Sequence, residues 1–100
     1  MEWKFNESQN TMVITTAKII KGQNDILYVS HDIEDGVWQF LDGGTVTEED
    51  AKIVGLGEIA NIDDTVLQIA NLPMGSIAYR RSKKDSWNIK IESETQDKSN

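Results

Sequence analysis

The chain has no cysteine, a single proline and a single histidine. Without cysteine it can form neither a disulfide framework nor a thiolate zinc site, so packing alone must hold the fold. With His31 as its lone imidazole it is poorly equipped for a transition metal, although all-carboxylate magnesium binding needs no imidazole. Apolar runs are short: none approaches the roughly 20 residues that span a bilayer. The start, MEWKFNESQN, lacks the positive region and apolar stretch of a signal peptide, which predicts a cytoplasmic protein with no membrane contact. Asn6-Glu7-Ser8 has the letters of a glycosylation sequon, but without a secretory route it carries no chemistry. Lysine and arginine are missing altogether between Gly22 and Ala51.

What is present builds one domain. An apolar fraction of 38% over 100 residues suffices for one core and not for two. The net charge is −7, and the basic-free segment holds eight acids, Asp25, Asp32, Glu34, Asp35, Asp42, Glu48, Glu49 and Asp50. The rest has nine acids against ten bases, so the whole excess lies in that segment. Arg80, Arg81, Lys83 and Lys84 form a separate basic cluster. Nucleic-acid binding rests on cationic groups that displace counterions, so the charge map predicts no nucleic-acid partner.

Taken in order, residues 1–11 are polar except for Trp3 and Phe5, whose alternation allows an edge strand. Met12 to Thr15 reads as a strand, followed by a brief helical turn capped by Thr15 or Thr16 and stopped near Gly22. Ile26 to His31 and Val37 to Leu41 form a hairpin around the turn Asp32 to Gly36. Pairing His31 with Val37 places Tyr28 and Phe40 on one side and Val29 and Leu41 on the other, as in the middle of a sheet. Thr47 before Glu48, Glu49 and Asp50 has the chemistry of a helix start. Lys52 to Ile59 reads as a strand loosened by Gly55 and Gly57. Asp63 is a helix N-cap, with Ile62 placed to staple Leu67 and with Pro73 ending the helix. Ile77 to Arg81 and Trp87 to Ile91 are the last strands; Trp87, Ile89 and Ile91 alternate with polar residues as on a strand with one buried face. The prediction is an α+β domain over 12–91, a mostly antiparallel sheet built around the central hairpin with two or three short helices. Residues 92–100, which have no apolar side chain, read as a disordered tail.

No catalytic constellation emerges. Asp32 to Gly36 resembles a calcium loop, but its Gly stands at the fifth position instead of the sixth and Gly43 occupies the place of the closing glutamate. Gly55-Leu56-Gly57-Glu58-Ile59-Ala60 has the letters of a dinucleotide fingerprint, but Arg80 stands where the ribose-binding acid belongs. His31 beside Asp32 and Asp35 has no nucleophile or electrophilic stabiliser identified for it. No cofactor is implied, and the chain is not expected to be an enzyme.

The segments ILYVSHDIEDGVWQFLDGG, EEDAKIVGLGEI and LPMGSIAYR resemble, in order and spacing, a family of small bacterial domains classed as immunity proteins, class thirty-three, of polymorphic-toxin systems. The likeness covers roughly Val13 to Trp87, and its most specific pieces are Trp38 to Gly43 and Leu72 to Gly75. It implies an α+β fold and a non-enzymatic role in neutralising a toxin by occlusion. The charge map then assigns the partner-facing residues: Asp32, Glu34, Asp35 and Asp42, joined by Glu48 and Glu49, to steer a basic toxin surface, with Trp38 as aromatic anchor. The chain itself would be a monomer or weak homodimer. The alternative is a small ligand-binding or regulatory domain with an apolar pocket between the hairpin and the Asp63 helix.

Overall fold

A computed structural model describes residues 2–91. The tail predicted to be disordered, 92–100, lies outside them. The domain is α+β, as its sequence implies: one six-stranded mixed sheet carrying a few short helices. In chain order these are β1 (Met12–Thr16), α1 (Ala17–Ile20), β2 (Tyr28–His31), β3 (Trp38–Leu41), β4 (Ala51–Gly55), α2 (Leu56–Ile62), a 3-10 helix (Asp64–Ile69), β5 (Ser76–Tyr79) and β6 (Asn88–Ile91). The sheet order is β4-β1-β3-β2-β5-β6, so the β2–β3 hairpin forms its middle pair. All neighbours are antiparallel except β1 and β3, which run parallel with Ile14 opposite Gln39. No helix of the described residues is long and apolar enough to cross a membrane.

The hairpin register differs by one residue from the expected one. Asp32 donates its amide to the Val37 carbonyl, and His31 stands opposite Trp38, Val29 opposite Phe40, and Tyr28 opposite Leu41. The turn explains the shift. Gly36, at φ 73°, donates to the Asp32 carbonyl at 3.0 Å, while the Asp35 carboxylate accepts from the Val37 amide, closing a loop one residue shorter than the expected one. Because strand side chains alternate, the shift moves Trp38 and Phe40 onto the same face as Val29.

That face carries the core. Val13, Val29, Trp38, Phe40 and Ala78 pack there against Ile19 of α1, Leu56 and Ile59 of α2, and Val66 and Ile69 of the 3-10 helix. Residues 2–11 form no strand; the sheet edges are β4 and β6. The segment instead crosses the core as a strap, with Phe5 buried edge-on against Trp38 at 5.1 Å and Trp3 tilted against Phe5. Its Thr11 and Gln9 carbonyls accept from the Leu56 and Gly57 amides at 2.8 and 2.9 Å. These bonds satisfy two of the orphan amides at the start of α2, whose N-cap Gly55 has no side chain to do so. Gly57 is needed for the approach, because a Cβ there would lie 2.9 Å from that of Gln9.

Four other elements depart from the sequence reading. Lys52 to Ile59 is not one strand, because β4 ends at Gly55 and α2 begins where the strap supplies its cap. Thr47 starts no helix: its hydroxyl bonds the Asp50 carboxylate, its carbonyl accepts from the Asp50 and Ala51 amides, and the chain turns straight into β4. The helix capped by Asp63 exists, with Asp63 accepting from the Thr65 amide at 3.0 Å, but it is a 3-10 helix of six residues. Finally, Ile89 and Ile91 are 51% and 41% exposed, since the helical layer does not cover this edge strand. By contrast, α1 forms as expected, with the Thr16 hydroxyl accepting from the Ile19 amide.

Candidate functional site

The seven residues assigned to a partner do not form one patch. β2 and β3 are antiparallel, so the turn holding Asp32, Glu34 and Asp35 lies at one end of the sheet, and Asp42, which follows β3, lies at the other. β1 runs with β3, and Ala51 of β4 pairs with Thr16, so Glu48, Glu49 and Asp50 belong to the Asp42 end. The two ends are separated by the length of the strands, about 13 Å for four residues. Arg81, Lys83 and Lys84, between β5 and β6, occupy the far corner of the Asp42 end.

At both ends aspartates are held by hydrogen bonds. Asp32 accepts from the Glu34 amide at 2.7 Å and Asp35 from the Val37 amide at 3.0 Å, a pair of aspartate turns that leaves the Glu34 side chain exposed. At the other end Asp42 accepts from the Gly44 amide at 2.8 Å and from the Asn24 side chain at 2.6 Å. These donors stabilise the carboxylate and hold Asp42 below the usual carboxylate range. Beside it Gln23, Asn24, Asp25 and Leu27 line an open, half-polar cleft of about 450 Å³.

Trp38 cannot serve as a surface anchor. It is 1% exposed, stacked on His31 at 4.0 Å and on Phe40 at 5.8 Å, and its indole N–H donates to Glu7 Oε2 at 3.0 Å. The register shift described above put it on the core face. Its neighbourhood gathers a serine, a histidine and a glutamate, since Ser76 stands opposite His31 on β5 and Glu7 lies on the strap. The geometry is not that of a nucleophile and its base. His31 Nδ1 lies 2.8 Å from the Leu72 carbonyl, which can only accept, so that nitrogen carries a proton; Nε2 faces Glu7 Oε2 at 3.8 Å. The Ser76 hydroxyl is buried and bonds neither nitrogen. Among the described residues no group of three or more His, Asp or Glu is placed to hold a metal ion.

The most elaborate polar arrangement is one that sequence reasoning missed. Arg80, read as part of a surface cluster, is buried. Its Nη2 meets Asp63 Oδ2 at 2.7 Å, Nε and Nη2 both donate to the Ile26 carbonyl, and Nη1 donates to the Thr65 hydroxyl and the Lys83 carbonyl. Trp87 lies 3.9 Å below the guanidinium and donates its own N–H to the Thr65 carbonyl. Asp63 thus joins the α2–3-10 junction to the entrance of β2. A signal did exist: Arg80 directly follows the apolar run Ile77-Ala78-Tyr79, and Asp63 and Trp87 are typical partners of a buried guanidinium.

The space expected to hold a ligand, between the hairpin and the Asp63 helix, is filled by Val29, Phe40, Val66 and Ile69. An apolar cleft of about 190 Å³ lies elsewhere, between Ile69, Leu72 and Pro73 and the exposed Ile89 of β6. Comparison with protein-family models, with curated proteins and with solved structures returns no match for this chain.

Proposed function

We propose that this domain is a non-enzymatic, immunity-type protein that neutralises a basic toxin by occluding it. The observation that carries the reading is the concentration of eight acids, with no base, in the residues that border the central hairpin. The acidic turn supports it further. Asp32 and Asp35 are fixed by backbone amides, so an approaching cationic surface meets carboxylates that lose little freedom on binding. Charge of this kind raises association rate and specificity more than it lengthens residence.

The test is co-expression with a toxin of basic surface, sought first in the product of the adjacent gene. The intact chain is expected to rescue growth and to bind the purified toxin with an on-rate that falls steeply with salt. Changing Asp32, Glu34 and Asp35 together to Asn, Gln and Asn should slow association without unfolding the domain. Growth arrest despite full expression of the chain would refute the reading.

A further inference from the structure

The alternation Trp87, Ile89, Ile91 has the pattern of a strand with one buried face, yet among the described residues nothing buries the two isoleucines. Ile89 and Ile91 stand opposite Ala78 and Ser76, both buried, which places them on the helical side of the sheet. They remain 51% and 41% exposed. Beside Ile89 the apolar cleft that it forms with Ile69, Leu72 and Pro73 is open. The residues that follow the strand, ESETQDKSN, include no apolar side chain that could fill it.

The backbone of the same strand defines the element that fits. Arg80 donates its amide to the Leu27 carbonyl, in step with the β2–β5 register, so Arg80 and Ala78 bond β2 while Ile77 and Tyr79 bond β6. Lys90 and Asn88, opposite them, therefore use their amides and carbonyls on β5, and Ile89 and Ile91 turn theirs outward. The other edge of the sheet differs. There the Ala51 amide already bonds the Thr47 carbonyl, and Gly55, the N-cap of α2, gives its carbonyl to the helix. The open edge at β6 accepts an extended strand, and the cleft beside Ile89 requires that alternate residues of that strand be apolar.

Charge selects the strand. β6 is entered from a turn with Arg81, Lys83 and Lys84 against Asp85, and the sequence continues beyond it with Glu92 and Glu94. Antiparallel pairing of two β6 strands brings the basic entry of each copy to the acidic exit of the other, at both ends of the contact. A chain of net charge −7 can therefore meet its own copy at this edge, which β5 separates from the acidic hairpin. Centred on Ile89, the pairing lets the two Ile89 residues exchange their outward amides and carbonyls. Ile91 then stands opposite Trp87 of the mate on the helical side, and Lys90 opposite Asn88 on the other face, so no like charges are directly opposed. Lys90 cannot take the central place, because its backbone groups already bond β5. We infer that β6 is the contact edge of a homodimer, in which two sheets join antiparallel about Ile89 and the isoleucines of each copy lie against the apolar cleft of the other. The contact is a strip about 13 Å long and about 10 Å deep, well short of the roughly 800 Å² per partner of a stable complex. The dimer is accordingly weak, with a Kd on the order of 10⁻⁴ M. Its edge shares no residue with the surface proposed to meet a toxin, so dimerisation and neutralisation are separable.

Sedimentation equilibrium of the intact chain from about 10 µM to about 1 mM tests the dimer, with amide exchange as the local readout. The mass should rise from monomer towards dimer across that range. The outward amide of Ile89 should exchange about fourfold more slowly at the top of the range than at the bottom, while that of Ile53, on the other edge, keeps its rate. Ile89→Lys sets two ammonium groups against each other at the centre of the contact and should weaken the dimer at least about tenfold. Ile53→Lys is the control and should leave the Kd unchanged. Both positions are exposed, circular dichroism checks that the variants fold, and the exchange measurement needs no variant. A monomer at every concentration, a dimer indifferent to Ile89→Lys, or a dimer abolished by Ile53→Lys would overturn the inference. So would protection of the Ile89 amide that does not vary with concentration, because the chain would then be covering its own edge.

Discussion

Changing Arg80 to Met tests whether the buried network holds the fold together. The Arg80 and Asp63 side chains are 1% and 4% exposed, so removing the guanidinium leaves a carboxylate stranded away from water. Breaking such a pair from one side costs about 3–5 kcal/mol. The Ile26 carbonyl loses both of its side-chain donors at the same time, and Trp87 loses a cation–π contact worth about 1–2 kcal/mol. Methionine fills much of the vacated volume, so a net loss of about 4 kcal/mol is expected. That is a large share of the 5–15 kcal/mol typical of a whole domain, and for this size corresponds to a fall in Tm of about 20 °C. The double variant Arg80→Met/Asp63→Leu removes the stranded charge as well. It should be more stable than Arg80→Met alone by about 2 kcal/mol, even though the Thr65 amide loses its cap. Urea unfolding of the four proteins at neutral pH gives the cycle, with changes in midpoint read at constant m. A loss below 1 kcal/mol for Arg80→Met, or strictly additive effects, would refute the assignment of the network as the tie between the 3-10 helix and the sheet.

Gly36→Ala places a Cβ on a residue at φ 73° and should cost about 1–2 kcal/mol in the same unfolding assay. Gly57→Ala gains about 1 kcal/mol of helix propensity but drives its Cβ into Gln9, so the strap should loosen; amide exchange at Leu56 and Gly57 is expected to accelerate. Trp38→Phe keeps most of the core volume and gives up the bond to Glu7, for an expected loss of about 1–2 kcal/mol measured by denaturation. Asp42→Asn tests the depressed carboxyl. A folded-state pKa below the unfolded value contributes stability above the unfolded pKa of about 3.9 and loses it as pH falls through the folded one. The wild type should therefore lead Asp42→Asn by a few tenths of a kcal/mol at pH 7, with the gap closing below about pH 4.

Local chemistry was legible where a residue's partners lie close in sequence. Thr16 as cap of α1 and Asp63 as cap of the 3-10 helix depend on neighbours within a few positions, whereas that helix stops at Ile69, before the expected end at Pro73; the α+β class follows from such pieces in order. What could not be read was anything fixed by a partner far along the chain. The cap of α2 comes from Gln9 and Thr11, more than forty residues upstream of the helix it serves, so the Gly55–Gly57 stretch carries no helix-start signal of its own. Arg80 looked like one charge in a basic run because its partners, Ile26 and Asp63, lie far back in the sequence. The candidate site turned on a smaller matter, one residue of hairpin register. With His31 opposite Val37, Trp38 borders the acidic turn as a surface aromatic; with His31 opposite Trp38, it becomes the largest fully buried side chain of the core face. Composition is nearly blind to that choice, since both hairpin strands are apolar on both faces and the alternation that normally selects a register is weak.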